Sequence, residues 1–412
     1  MKETTRRVFL AVGAAAGCAA GQTPGPAPPK PATPSQVRAE QLVAVPAGAI
    51  APAEKGAGRY AAKRWKAVRL VDEDETTGAL NDIRLMGMER GIAVGALNRR
   101  GKVEPQALLT RDGGVNWTAV KLRDVPLSLQ MLDESRGFYV GEGSLWYTDE
   151  GGAAWEKRKL PNSREYIMLR VHFVDPKRGW AYGAGKVFWS TEDGGLTWRK
   201  VKESEDLNLK AENTIWTSMV WLGEKAAMLA GSSAVPRTEA MARIPDWMLP
   251  ERAARRRLTP STTVVGETRD AGLTWKLSVA STFGRVIRMR SYGMRALTVF
   301  HYGDGMDFPS EVYDLDLTTG KSKPLFRRKE VVVHDAVPLP GGGAVIAGVE
   351  PAGRLRATPV PGKVRIFVTD DGVEWSEMKV DYRAVGRRVT LARFSDMNML
   401  AATDEGTILK LM

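Results

Sequence analysis

The chain has 412 residues, 43% of them hydrophobic, and 60 Lys+Arg against 48 Asp+Glu give it a net charge of +12. This is the composition of a folded, basic protein, and the charge favours an acidic partner, a membrane surface or a polyanion over a neutral ligand. One cysteine and three histidines exclude a disulfide framework, a CxxC redox pair, a thiolate zinc centre and a His-rich metal site, so no cofactor or metal is expected.

The first element in chain order is an export signal over residues 1–17. Thr5-Arg6-Arg7-Val8-Phe9-Leu10 resembles the twin-arginine signal, and the Gly/Ala-rich run after it is too short to span a bilayer. Ala15-Ala16-Gly17-Cys18 resembles a lipobox, in which the cysteine is acylated and becomes the mature N-terminus. Lipidation at Cys18 implies an extracytoplasmic, membrane-anchored lipoprotein on the periplasmic side or at the outer membrane. The alternative is an ordinary signal peptide that contains a cysteine. Residues 18–59 are rich in Pro and Ala and read as an extended tether, leaving residues 60–412 to fold.

That remainder carries an internal repeat. Thr110-Arg-Asp112-Gly-Gly-Val-Asn-Trp117 recurs around Glu150 and Trp155, Asp193 and Trp198, and Asp270 and Trp275. It appears one residue shorter at Asp371 and Trp375, and without its tryptophan at Thr403-Asp-Glu405-Gly406. The pattern Ser/Thr-x-Asp-x-Gly-x-x-Trp is the Asp-box, also called the bacterial neuraminidase repeat. Lying between β-rich runs, it is a hairpin turn whose Thr and Asp bond loop amides, whose Gly takes a conformation closed to other residues, and whose Trp packs the returning strand. These acids are expected to form turns, not to catalyse.

Upstream of most boxes, Arg-Gly-Trp-Ala-Tyr-Gly183 and its relatives at Gly91 and Gly137 mark an apolar strand pair. Three strands plus the one after the box make a four-stranded unit, and inner strands near Leu80, Leu127, Leu169, Ile215, Val286, Val331 and Val389 predict an all-β, seven-bladed β-propeller with Asp-box turns. The fourth blade carries an insertion over 232–260, and the fifth, around Glu311-Val-Tyr-Asp-Leu-Asp-Leu, lacks a box. The last blade is one strand short, so the segment from Trp65 to Leu70 is expected to supply it and close the ring.

The combination of this inner-strand pattern with repeated Asp-boxes resembles the photosystem II stability/assembly factor family. The resemblance implies a propeller over residues 60–412 that acts as a non-enzymatic scaffold for a protein partner or membrane-complex subunit through an arginine-rich surface. Two blades and the insertion depart from the regular pattern.

The face opposite the boxes is the expected binding surface. It collects Arg99 and Arg100, the insertion with Trp247, Arg255, Arg256 and Arg257, then Arg354, Arg356, Arg387 and Arg388. Guanidinium groups suit carboxylate or phosphate. The plain alternatives are a solubilising surface, and an insertion that plugs the ring's opening. Arginine with one aromatic falls short of a nucleic-acid reader, so no nucleic acid is expected, and a monomer is. The second functional reading is an extracytoplasmic glycan-binding or glycan-cleaving propeller. Arg243-Ile-Pro resembles the sialidase arginine motif but lies after the third box, and Asp304 with Asp307 is the one nearby carboxylate pair.

Overall fold

Glycines with positive φ close the box turns: Gly114, Gly152, Gly195, Gly272 and Gly372 have φ between 80° and 92°. In the first box the Thr110 hydroxyl accepts from Gly114 N at 2.8 Å, Asp112 Oδ1 accepts from Val115 N and Asn116 N, each at 2.9 Å, and Trp117 Nε1 donates to Gly114 O. The boxes at Asp193 and Asp270 repeat the glycine amide's bond to the threonine hydroxyl and the aspartate's bond to the amide of Thr197 or Thr274, which stand in the place of Asn116, whereas Trp198 Nε1 donates to Lys159 O. Glu150 is one methylene longer, and at that box the prominent bonds are those to Thr148: Glu150 N and Gly152 N both donate to its hydroxyl. The box tryptophans pack edge-on against aromatic rings: Trp198 on Phe173, Trp275 on Phe188 and Trp375 on Phe326.

A computed structural model describes residues 58–161, 167–234, 261–282, 284–302, 306–351 and 360–412. After strand β1 (Arg64–Arg69), the chain runs through up-and-down meanders. The first comprises β2 (Thr76–Leu85), β3 (Gly91–Arg99), β4 (Lys102–Thr110) and β5 (Thr118–Lys121). The second is β6 (Ser128–Met131), β7 (Gly137–Gly141), β8 (Ser144–Thr148) and β9 (Glu156–Arg158). Then come β10 (Ile167–Phe173), β11 (Gly179–Ala184), β12 (Phe188–Thr191) and β13 (Arg199–Lys200), and β14 (Thr214–Leu222), β15 (Ala226–Ser233), β16 (Ser261–Thr268) and β17 (Lys276–Thr282). They are followed by β18 (Gly284–Tyr292), β19 (Arg295–Tyr302), β20 (Ser310–Asp316) and β21 (Ser322–Arg327), and by β22 (Val332–Pro338), β23 (Ala344–Val349), β24 (Gly362–Thr369) and β25 (Ser376–Glu377). The short β26 (Lys379–Val380) and β27 (Val385–Gly386) precede β28 (Val389–Arg393), β29 (Met399–Thr403) and β30 (Ile408–Leu411).

This is an all-β propeller. Counted by hydrogen bonding among the described residues, its strands form six sheets, not seven units, because the meanders β10–β13 and β14–β17 share one eight-stranded sheet. The link between them is a single bridge, Ala184 to Ile215. The N-terminal β1 pairs antiparallel with β30, from Trp65–Leu411 to Arg69–Ile408. Where the fifth meander lacks a box, its β20–β21 turn is instead held by Asp316, which accepts from Thr318 N at 2.8 Å. Two predicted boundaries move. Ser232 and Ser233 belong to β15, so the insertion starts later than 232, and Arg59, assigned to the tether, is bonded into the domain.

Apolar side chains fill the spaces between successive meanders, as in the cluster of Phe138, Val140, Phe173 and Ala181. The turns joining the first and second strands lie at the same end as the boxes, since Gly113 N, Gly151 N and Gly194 N donate to Glu89 O, Ser135 O and Lys177 O. We call this end the box face.

Candidate functional site

The innermost strands converge, and they carry charge where the rest of each strand is apolar. A β-bulge interrupts β2 between Leu80 and Asp82, β10 between Met168 and Arg170, β14 between Trp216 and Ser218, β18 between Val286 and Arg288, and β22 between Val333 and Asp335. A bulge rotates the strand and re-aims the side chain that follows it. Because the bulges share one register, Asp82, Arg170, Ser218, Arg288 and Asp335 lie at one level.

The oxygens at this level satisfy amides of neighbouring inner strands, which have no further strand to pair with. Asp82 Oδ2 accepts from Leu129 N at 3.2 Å, Ser218 Oγ from Met289 N at 2.9 Å, and Asp335 Oδ2 from Leu391 N at 2.9 Å. The same carboxylates hold guanidiniums. Asp82 lies 2.6 Å from Arg84, 3.6 Å from Arg288 and 3.9 Å from Arg170. Asp335 lies 2.5 Å from Arg290 and 3.6 Å from Arg288, and Arg290 also donates to Leu391 O.

Burial opposes ionisation of both carboxyls, but the arginines outweigh it and hold Asp82 and Asp335 below the usual carboxylate range. Burial brings Arg84 and Arg170 down to about 10, which leaves both charged at neutral pH. Four guanidiniums therefore face two carboxylates, an excess of two positive charges. The carboxylate side chains are 1% exposed, whereas Arg84, Arg170 and Arg290 remain 24%, 27% and 21% open. The carboxylates are buried while three of the four guanidiniums are partly open, so the accessible charge of the cluster is positive, the sign that suits a carboxylate or phosphate.

The sequence-predicted site residues lie elsewhere. Arg99 pairs with Glu73 and Glu104, Arg100 with Glu75, and Arg387 with Glu405 at 3.8 Å. Arg388, at the entry to β28, donates to Asn81 Oδ1 at 2.7 Å. Of these only Arg388 approaches the cluster, through Asn81, which is the bulged residue of β2 next to Asp82. Cys18, Trp247, Arg255, Arg256, Arg257, Arg354, Arg356 and Asp304 lie outside the described residues, and Asp307 is exposed. The axial cluster itself was missed, although the alternation Asp82-Ile-Arg84, Arg170-Val-His172 and Arg288-Met-Arg290 within apolar strands was a readable signal. Among the described residues no group of His, Cys, Asp and Glu could hold a metal ion, and no helix is long and apolar enough to cross a membrane.

Fold and site together define an Asp-box β-propeller with an arginine-lined axis. Residues 109–249 match the family model of the photosynthesis system II assembly factor YCF48. Among solved structures, YCF48 bound to D1 peptide is similar at 16% identity and a TM-score of 0.54, covering 84% of this chain and 94% of that one. YCF48 from Cyanidioschyzon merolae is similar at 15% identity and 0.54, over 84% and 98%. A GH74 xyloglucanase from Xanthomonas campestris reaches 12% identity and 0.51, over 84% of this chain and 53% of its own. No curated protein matches the chain by sequence.

Proposed function

We propose that this chain is a non-enzymatic, extracytoplasmic binding scaffold that holds a protein partner, such as a membrane-complex subunit, by its carboxylates. It is a monomeric seven-bladed ring, tethered through lipid at Cys18. The seven-blade reading treats the eight-stranded sheet as two blades touching at the Ala184–Ile215 bridge, with β1 as the outer strand of the last. The observation that carries the function is the excess of guanidinium over carboxylate at the axis, with the arginines reachable. Arg388 extends this charge toward the rim, and Arg99, Arg100, Trp247, Arg255, Arg256, Arg257, Arg354, Arg356 and Arg387 would widen the docking surface. Support comes also from the similar fold of YCF48, solved with a D1 peptide bound.

A glycan-cleaving propeller of the xyloglucanase type is the competing reading. It needs one carboxylic acid held protonated, whereas both axial carboxyls are held ionised by arginine. Affinity capture from native membranes with the wild-type chain and with Arg170→Gln tests the proposal. A partner set that shrinks in the variant is expected, and hydrolysis of a glucan by the wild type would overturn the non-enzymatic reading.

A further inference from the structure

Every regular box turn places an outward residue directly after its glycine, and four of these are large and apolar: Val115, Leu196, Leu273 and Val373. Their direction follows from the turn. In the boxes of Val115, Leu196 and Val373 the amide after the glycine donates inward to the box aspartate, and Thr274, next to Leu273, does the same. The box aspartates are thus folded back onto loop amides while the apolar side chains stand out, Leu273 and Val373 each 79% exposed. Exposed Arg111 and Arg269 flank two of these tips.

Nearer the axis on the same face, the β28–β29 turn exposes Phe394 and Met397, and Met88 lies beside them, its carbonyl accepting from Asn398 Nδ2 at 2.8 Å. Solvent-exposed apolar side chains grouped on one face mark an interaction surface. Because several occupy the equivalent position of equivalent turns, they stand at one height around the propeller. Single apolar tips at one height fit a plane and not a groove.

The point where the chain enters the domain selects the plane. Residues 1–57 precede the first described residue, and Arg59 is fixed on this face: its Nε donates to Asp370 of a box turn and its Nη1 to Asp396 of the β28–β29 turn, both at 2.7 Å. Tyr60 OH donates to Asp396 O. Strand β1 then runs away from the box face along β30. Arg59 and Tyr60, at the start of the described residues, therefore lie on the box face between the β28–β29 turn and the Asp370 box.

We propose that the box face is a lipid-facing surface, whose apolar turn tips enter the interfacial layer of a bilayer while Arg111 and Arg269 meet anionic headgroups. The tether and the tips then act on the same side, and the opposite face points away from the membrane. The biological setting rests on the membrane-tethered reading above, but the surface itself does not need the lipid.

The single cysteine makes the test direct. Full-length chain carrying Cys18→Ser has no other thiol, so Met397→Cys, Leu273→Cys and, at the opposite end, Val103→Cys can each bear one polarity-sensitive fluorophore. On adding phosphatidylglycerol/phosphatidylcholine vesicles, the probes at 397 and 273 are expected to shift to the blue and the probe at 103 to stay unchanged. Phe394→Ser with Met397→Ser, checked for an unchanged melting temperature, is expected to weaken vesicle co-sedimentation at least tenfold. No shift at 397 and 273, or an equal shift at 103, overturns the proposal. So does a probe at 397 that is already dry without vesicles, which would mean that the leading segment or a second copy covers it. If the unsubstituted, lipidated chain stays on membranes while these probes do not shift, the tether reading stands and the lipid-facing surface falls.

Discussion

Asp82 of β2 and Asp335 of β22 share one guanidinium, that of Arg288, which lies 3.6 Å from each. Residues far apart in sequence are thereby tied at the axis, and each carboxylate also caps the amide of another inner strand. The cluster both fastens strands together and leaves positive charge in excess.

Breaking it from the anionic side is expected to be severe. Asp335→Asn leaves Arg288 and Arg290 without their shared anion and should cost about 3–5 kcal/mol, as for other buried pairs that lose one partner. Asp335→Asn combined with Arg290→Gln should cost less than the sum of the two single changes, because the residues are in contact. Urea unfolding of the three variants measures the coupling, and strict additivity would show that the pair does not act as a unit.

Acid is expected to weaken the fold before the carboxylates titrate. Burial, with help from Arg84, lowers His172 to about 4; burial, His301 and Arg388 lower His334 to about 3, and burial lowers His301 as well. The unfolded chain binds these protons with the ordinary imidazole affinity, so the stability is fully present above about pH 6.5 and is lost as pH falls toward the folded values, at about 1.4 kcal/mol per pH unit per histidine. Melting temperature should drop between pH 6.5 and 4.5, and His172→Gln should make the slope shallower. A melting temperature flat over that range would contradict the assignment.

Residues 271 and 272 offer opposite substitutions in one turn. Ala271 holds φ 62°, a left-handed conformation costly to any residue with a Cβ, and Ala271→Gly should stabilise the domain by about 1 kcal/mol. Gly272 has φ 84°, and a Cβ there would come within 2.1 Å of Trp180, so Gly272→Ala should destabilise by about 2 kcal/mol or more. Thermal melts of the two variants should move in opposite directions.

The box turns were readable from sequence because each is a local device: Thr110, Asp112, Gly114 and Trp117 bond one another within eight residues. The pairing of β1 with β30 was readable because the last repeat lacked a strand. Of the arginine axis only the charged alternation within apolar strands was legible; that these residues meet was not, because it depends on bulges that re-aim Asp82, Arg170, Arg288 and Asp335 and on their meeting across several meanders. Nor does sequence reveal the Ala184–Ile215 bridge, which merges two sheets through one residue pair. Arg99 and Arg100 stood out as basic, yet their glutamate partners at 73, 75 and 104 partly offset that charge.

The central claim is that the axial arginines receive a partner's carboxylates. Its most direct test is fluorescence-anisotropy titration of a short, Asp-rich labelled peptide against the wild type, Arg170→Gln, and Arg111→Gln as a box-face control that keeps the same net charge as the first variant. The account predicts salt-sensitive binding that weakens at least tenfold in Arg170→Gln and is little changed in Arg111→Gln. Equal affinity for the wild type and Arg170→Gln would contradict it.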